Sequence, residues 1–200
     1  MSSPAPKPPS SDDNAFKAEL VTLIPHLRAF ARTLTGDATA ADDLAQDAMV
    51  KAWDARASFQ MGTNMKAWTF MILRNQFYSD KRRSWRQSQL DQEAAERTLV
   101  AVDNPEAPVA LDELRLALAS LPEEQREALI LVGAGGFAYE EAAAICDCAV
   151  GTVKSRVSRA RKALLGVLES GGYDRDGKAA GDAMASILGA ADRLSGGYSQ

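Results

Sequence analysis

Cations and hydroxyl groups are concentrated in one short part of the chain, residues 152–168. This segment holds five Lys and Arg residues and no Asp or Glu. Lys154, Ser155, Ser158 and Arg159 fall on one side of a helix at 3.6 residues per turn. Ammonium, guanidinium and hydroxyl groups in this arrangement donate hydrogen bonds to phosphates and to base edges in a major groove. The segment therefore predicts a contact with DNA.

Two helices and a turn must position these side chains. An Ala-rich helix is predicted from Tyr139 to about Asp147, and its small residues let a second helix cross closely. Residues 148–151 have the length of a tight turn, and Thr152 is predicted to cap the helix that follows, which runs to about Leu168. Its apolar stripe comprises Val153, Val157, Ala160, Leu164 and Leu168. This pattern predicts a helix-turn-helix.

A second basic segment lies at residues 74–86, with five cations against Asp80 alone. It closes a strongly apolar helix that is predicted to start after Asn64, its N-cap. The acids are concentrated at residues 91–141, and the chain as a whole has a net charge of −4. Two basic segments separated by an acidic linker indicate two DNA contacts. The ordinary alternative is a pair of solvated faces, since cations are favoured near helix C-termini.

The rest of the chain shows further helical patterns and no strand pattern. In the C-terminal half, apolar residues recur at Leu111, Leu114 and Leu118, and another helix is predicted from about Pro122 until Gly133 ends it. Apolar residues recur at three- and four-residue steps from near Phe16 to Phe30, until residues 35–37 break the helix. Another helix is predicted from about Thr39 to Ala57. We expect an all-α fold of two small helical domains joined by a flexible linker. The predicted parts are a disordered tail at 1–13, an N-terminal domain at 14–86, an acidic linker at 87–110, a C-terminal domain with the helix-turn-helix at 111–170, and a tail at 171–200.

The composition disfavours several other classes of protein. No apolar run approaches the roughly 20 residues that span a bilayer, and the Pro- and Ser-rich start lacks the apolar core of a signal peptide. We therefore expect a cytoplasmic protein with no membrane contact. His26 is the only histidine and the chain has two cysteines, too few ligands for a metal site. Without a phosphate-loop motif either, we predict no catalytic residue, no metal and no cofactor.

Several segments together resemble the sigma factors of bacterial RNA polymerase, of the small extracytoplasmic-function type. DLAQDAMVKAW at 43–53 is similar to their core-binding helix, and residues 64–83 resemble the helix that melts and reads the −10 element. LPEEQR at 121–126 is similar to the start of their C-terminal domain, and GTVKSRV at 151–157 to its recognition helix. The resemblance covers about residues 14–170 in the family's order.

The resemblance implies three binding surfaces. The core-polymerase face, which would bind the clamp helices of the largest subunit, comprises Asp43, Leu44, Gln46, Asp47, Val50, Lys51 and Trp53. The −10 DNA surface comprises Asn75, Ser79, Lys81, Arg82, Arg83, Trp85 and Arg86. The −35 DNA surface comprises Thr152, Lys154, Ser155, Arg156, Ser158, Arg159 and Lys162. Many relatives carry a bulkier residue where Ser158 stands, so their −35 sequence does not transfer to this chain.

GAGGFAY at 133–139 and CDCAV at 146–150 resemble the general-stress-response group of alphaproteobacteria. This likeness implies a small helical anti-sigma protein as inhibitor, and a response regulator whose sigma-like domain competes for that inhibitor. Two other functions stay open. One is a sigma-like decoy that binds an anti-sigma protein but no DNA, and the other is an ordinary helix-turn-helix regulator whose N-terminal domain senses a ligand. A sigma factor is the function that we predict.

Overall fold

The structure, a computed structural model, describes residues 11–60, 62–90 and 117–169. Its α-helices are α1 (Ser11–Thr22), α2 (Ile24–Thr35), α3 (Ala38–Asp54), α4 (Met65–Leu90), α5 (Glu123–Gly133), α6 (Tyr139–Cys146) and α7 (Val150–Glu169). A short 3-10 turn spans Arg56–Ser58, and residues 117–119 are also helical. Within these ranges there is no strand, and the all-α prediction is confirmed.

The first apolar pattern forms two helices rather than the single helix predicted. Pro25 has no N–H to donate to the carbonyl four residues earlier, so the α-helical ladder is interrupted at Leu23. The Leu23 N–H donates to the Leu20 oxygen, three residues back, at 3.1 Å. The predicted break after α2 is confirmed: Gly36 has a φ of 72° and forms a left-handed cap, and Asp37 then accepts from the Ala40 N–H at 2.7 Å to start α3.

Several predicted bounds shift by a few residues. Helix α3 ends at Asp54 rather than near Ala57, because the chain there tightens into the 3-10 turn. Helix α1 begins at Ser11, inside the predicted disordered tail, and α4 continues to Leu90, past the predicted start of the linker at 87. The rest of both segments, and the tail at 171–200, lie outside the described residues. Asn64 caps α4 as predicted, since its Oδ1 accepts from the Ala67 N–H at 3.0 Å.

An aromatic cluster joins α1, α3 and α4. The Phe16 ring of α1 lies 6.2 Å from the Trp53 ring, 5.7 Å from Phe59 and 6.1 Å from Trp68. Phe59 and Trp68 are 5.0 Å apart. Edge and tilted contacts at these distances add to the apolar area that the rings bury. The outward sides of α3 and α4 are thereby held in a fixed orientation.

The helix-turn-helix forms from α6 and α7. Asp147 takes a φ of 51°, the left-handed conformation that ends α6, and α7 begins three residues later at Val150. The prediction that Thr152 caps α7 is wrong, because Thr152 already lies in the first turn and donates its N–H to the Ala149 oxygen. The apolar stripe is buried from Val153 to Leu164 as predicted, and the Leu168 side chain lies outside the described residues.

The two domains pack directly against each other. The Phe70 ring of α4 meets the Phe137 ring, which precedes α6, at 4.9 Å in an edge-to-face contact. Helix α4 contacts α6, and α2 contacts α5. The apolar cores of the two domains are therefore continuous. None of the helices in the described ranges has the length and apolar character needed to cross a membrane.

Candidate nucleic-acid and protein interfaces

The outward face of α7 presents a hydrogen-bonded arginine. The Arg159 side chain is exposed, and its Nη2 donates to Ser155 Oγ at 2.9 Å while its Nε donates to the Ser155 oxygen at 3.2 Å. Ser155 Oγ in turn donates to the Thr152 oxygen at 2.9 Å. These bonds restrict the guanidinium before any partner arrives, which lowers the entropy lost on binding. Thr152 and Ser155 are half-buried, so Arg159 is the most accessible of the three.

Further polar groups continue this face along α7. Lys154, Ser158 and Lys162 are exposed and follow one another at four-residue steps. The Lys154 ammonium lies 5.6 Å from the centre of the Tyr139 ring, so the scaffold helix α6 supports it through a cation–π contact. One side of α7 thus exposes a row of cations and hydroxyls, while the apolar residues of the opposite side are buried.

Arg156, predicted among the −35 residues, belongs to the packing side of α7. Only 15% of its side chain is exposed, and Nη2 lies 2.5 Å from Glu124 Oε2 on α5. Nη1 also donates to Cys148 Sγ at 3.6 Å. The guanidinium therefore joins α5, α7 and the turn between α6 and α7, because a step of three residues from Val153 turns the side chain toward α5 rather than outward. This placement removes Arg156 from the exposed face.

The second basic segment divides between two sides of α4. Asn75, Arg82 and Arg86 share one exposed side at three- to seven-residue spacing, with Ser79 half-buried between them. Beside this row, Arg83 is exposed and lies 3.6 Å from Asp80, and Trp85 is 63% exposed. The solvent-facing side of α4 therefore combines an amide, cations and a large aromatic ring.

The other side of α4 faces the C-terminal domain. Arg74 Nε lies 2.6 Å from Glu127 Oε1 of α5, and Nη2 donates to Oε2 at 3.3 Å. The Glu127 side chain is fully buried, and Arg74 is 13% exposed. Tyr78 also donates its hydroxyl to Glu127 Oε2 at 3.3 Å, and Arg74 lies over the Tyr78 ring. Lys81, predicted as a −10 contact, pairs here with Glu123.

Burial sets the ionisation of this cluster. Burial raises the pKa of Glu127, and the hydrogen bonds from Arg74 and Tyr78 offset only part of that effect. Burial alone would lower the pKa of Arg74, but the Glu127 carboxylate outweighs it, so the pKa of Arg74 is raised. Sequence reasoning did not single out Glu127. The available signal was an acid four residues before Leu131, on the apolar side of its helix.

The exposed side of α3 carries most of the predicted core-polymerase residues. Asp43, Gln46, Asp47 and Val50 form an exposed stripe at three- and four-residue steps, and Val50 is 54% exposed. Lys51 is exposed and donates to Gln76 of α4. Two predicted members face inward instead. Leu44 is buried, and Trp53 is half-buried against Phe16, because both lie on the apolar side of α3.

The described residues contain no His, Cys, Asp and Glu cluster that could hold a metal ion. Both cysteines are free thiols. Burial, followed by the nearby Glu127 charge, raises the pKa of Cys146 to about 12, so its thiol is protonated at neutral pH.

Comparison with known proteins matches both halves of the chain. The model of Sigma-70 region 2 matches residues 20–87, and that of Sigma-70 region 4 matches residues 111–164. The "ECF RNA polymerase sigma factor EcfG" of Rhodopseudomonas palustris (strain TIE-1) is 44% identical over 176 residues, which cover 88% of this chain and 96% of the relative.

Solved structures give the same result. The sigma factor RpoE, in complex with the anti-sigma factor NepR from Bartonella quintana, matches with a TM-score of 0.70 and 46% identity, covering 81% of this chain and 99% of that one. CnrH, in complex with the cytosolic domain of CnrY, matches with a TM-score of 0.57 and 27% identity, over 80% of this chain and 92% of CnrH.

Proposed function

The chain belongs to the extracytoplasmic-function RNA polymerase sigma factors, of the EcfG type. We propose that it uses three exposed surfaces, one to bind core polymerase and two to bind promoter DNA. The exposed side of α3 binds core polymerase, the solvent-facing side of α4 binds the −10 element, and the outward face of α7 binds the −35 element. One observation supports this assignment above the others. The segments that resemble the family's binding motifs each carry an exposed polar row opposite a buried apolar one.

The α3 stripe has the composition of a protein interface. Val50 supplies an exposed apolar centre, and Asp43, Gln46 and Asp47 supply a polar surround. The clamp helices of the largest polymerase subunit are the proposed partner. Leu44 and Trp53 act indirectly in this proposal, since they pack α3 onto the core and so hold the stripe in place.

The solvent-facing side of α4 suits a separated DNA strand. An exposed indole such as that of Trp85 stacks on an unpaired base, worth about 1–3 kcal/mol per base. Arg82, Arg83 and Arg86 supply cations for the strand's phosphates, and the Asn75 amide offers a donor and an acceptor to a base edge. Ser79 lies between them along the helix.

The outward face of α7 suits duplex DNA. Arg159, held on Ser155, is the proposed base-reading side chain, because a guanidinium makes two hydrogen bonds to guanine in the major groove. Lys154, Ser158 and Lys162 continue the contact to neighbouring bases and phosphates.

The proposed role is that of a non-catalytic subunit working in the cytoplasm on stress-response promoters. A related sigma factor has been solved with the anti-sigma factor NepR. We therefore propose that a small anti-sigma protein inhibits this chain, and that a response regulator with a sigma-like domain removes the inhibitor.

Run-off transcription with purified core polymerase tests the proposal. Discrete new start sites on genomic fragments should appear only when the protein is added. Asp47→Lys should weaken them, because it reverses a charge in the α3 stripe. Glu19→Lys is the matched control, since Glu19 is an exposed acid on α1, outside all three surfaces. An absence of initiation by the intact, uninhibited protein would contradict the proposal and favour a sigma-like decoy.

A further inference from the structure

One side of α4 is wholly engaged by the C-terminal domain. Along it, Lys66 donates to the Gly135 oxygen at 2.7 Å, Phe70 packs on Phe137, Arg74 pairs with Glu127, and Lys81 pairs with Glu123. These four α4 residues follow at four- and seven-residue steps, so they form one row. Two of the row's cations, Arg74 and Lys81, lie in the same basic segment as the proposed −10 residues.

The central ion pair depends on closure of the two domains. The Glu127 side chain is fully buried, and its carboxylate accepts two hydrogen bonds from Arg74 and one from Tyr78, both on α4. A carboxylate left in that position without the guanidinium would be a buried, uncompensated charge. The pair is therefore satisfied either by full closure or by full separation, in which water solvates both groups.

Two further contacts at the edges of the interface also hold the two domains together. Lys81 pairs with Glu123 in the first turn of α5. The Asn64 amide donates to Glu141 Oε1 at 2.5 Å, while Glu141 Oε2 accepts from the Ala138 N–H at 2.9 Å. The residue that caps α4 is thus joined to the residue that caps α6. The Lys81–Glu123 and Asn64–Glu141 contacts both cross between the two domains.

The closed body is too short to occupy a whole promoter. The −10 and −35 elements lie about 25 base pairs apart, which is about 85 Å of DNA at about 3.4 Å per base pair. A compact body of about 130 residues has a radius of gyration of about 14 Å and a diameter of about 36 Å. The closed chain therefore cannot hold both elements at once.

We propose that Glu127 and Glu123 act as an internal substitute for promoter phosphates. They hold Arg74 and Lys81 in a closed, transcriptionally inactive arrangement, and opening transfers both cations to the DNA backbone near the −10 element. Arg74 thereby becomes a promoter contact that is available only after opening. The inference rests on the proposed function, since it assigns the DNA that competes with the two acids.

The distance between the domains tests the closure without any DNA. Probes attached through non-natural amino acids at Ala40 of α3 and Ala163 of α7 sit on exposed positions away from the interface and leave both cysteines intact. With spin labels as the probes, pulsed electron paramagnetic resonance on the full chain should show one short distance between the two labels in the wild type. Glu127→Gln removes the charge but not the shape, and should raise the open-to-closed ratio on the order of 10-fold or more.

Glu124→Gln is the matched control for this measurement. It removes the same charge from the same helix, but Glu124 pairs with Arg156 inside the C-terminal domain. Its distance distribution should equal that of the wild type. Equal distributions for all three chains would overturn the proposal, as would opening in Glu124→Gln to the same extent.

Exchanging the charges of the Lys81–Glu123 pair is a control for variants that open only because they fail to fold. Glu123→Lys alone should open the chain, and Glu123→Lys combined with Lys81→Glu should close it again. Opening that persists in the double variant would count against an electrostatic latch. Because these distances need no polymerase, they separate failure of the latch from failure of the proposed function, which run-off transcription reports.

Salt-dependent binding to a promoter duplex tests the transfer of Arg74. Each phosphate contact contributes about 0.9 to the slope of log affinity against log salt. Glu127→Gln and the double variant Arg74→Gln/Glu127→Gln both lack the Glu127 carboxylate, so they differ only in the Arg74 guanidinium. The double variant should have a slope smaller by about 1. Identical slopes would show that Arg74 does not contact DNA after opening.

Discussion

Arg156 and Arg159 lie three residues apart on α7, yet their changes to Ala should affect different properties: stability for Arg156 and promoter selectivity for Arg159. Arg156 is 15% exposed and bridges to Glu124, whose side chain is 64% exposed. A pair with one solvated partner contributes about 1 kcal/mol or less, and the packed stem of Arg156 adds a similar amount. We expect Arg156→Ala to cost about 1–2 kcal/mol of unfolding free energy. Promoter selectivity should change little.

Arg159→Ala should leave folding intact and change selectivity instead. Arg159 is exposed, and its intramolecular bonds reach only Ser155 of the same helix. Loss of one base-edge contact is worth about 1–3 kcal/mol, or about 5- to 150-fold in relative affinity at the matching base pair. The effect should be confined to one position of the −35 element, because the remaining contacts are unchanged.

Two assays on each variant separate these outcomes. Urea unfolding followed by circular dichroism gives the stability, and transcription from a panel of single-base −35 variants gives the selectivity. A flattened preference at one base pair for Arg159→Ala, with an unchanged urea midpoint, is the expected result. The reasoning would be refuted if Arg156→Ala kept full stability while relaxing a base preference, since a side chain held against α5 cannot read a base.

Three other changes follow from the same contacts. Asp47→Lys should weaken assembly with core polymerase, measured by fluorescence anisotropy of labelled protein, because it reverses a charge in the exposed α3 stripe. Gly135→Ala should cost about 1–3 kcal/mol in urea unfolding, since a Cβ there would lie 2.6 Å from the Leu131 oxygen. The unfolding free energy should fall as the pH rises from about 9 toward 12, by at most about 1.4 kcal/mol per pH unit from the Cys146 thiol, and this contribution should vanish in Cys146→Ala.

The sign of the alkaline effect follows from burial. The unfolded thiol ionises first, while the folded thiol of Cys146 stays protonated up to about 12, so deprotonation favours the unfolded chain. Burial also raises the pKa of Tyr78, which acts in the same direction at higher pH. Gly166→Ala is the control for the glycine change, since a Cβ there meets no atom within 4 Å and the residue lies in α7. Equal losses at both glycines would remove steric contact as the cause.

Periodicity in the sequence predicted the elements that carry the outward surfaces. The buried stripe of α7 and its polar opposite face follow from a repeat of 3.6 residues. The cap at Asn64 follows instead from its residue type and its place just before an apolar helix. The same reasoning missed the break at Leu23, because an apolar repeat that continues through Pro25 masks an interrupted hydrogen-bond ladder. The family resemblance assigned Arg156 to the −35 surface, although a basic run does not itself show which of its cations turns toward a neighbouring helix.

The contact between the domains could not be predicted in this way. Its central pair joins residues 53 positions apart in the chain, and no local pattern relates Arg74 to Glu127. Each residue alone reads as an ordinary charged group of its helix. Their partnership exists only after two separately folded cores meet, so it is a property of tertiary packing rather than of either sequence segment.

The chemistry of this contact suits a joint that must open. A purely apolar interface would oppose separation by the whole cost of exposing it to water. Here the apolar part, centred on Phe70 and Phe137, is accompanied by ion pairs whose members regain hydration on opening. Such pairs favour one register of closure strongly, because any other register leaves a charge unpaired, while adding little net stability over solvated ions. The same groups that specify the closed arrangement therefore keep the free energy of opening low. A competing anion such as the DNA backbone can then replace the carboxylates as the partner of the released cations.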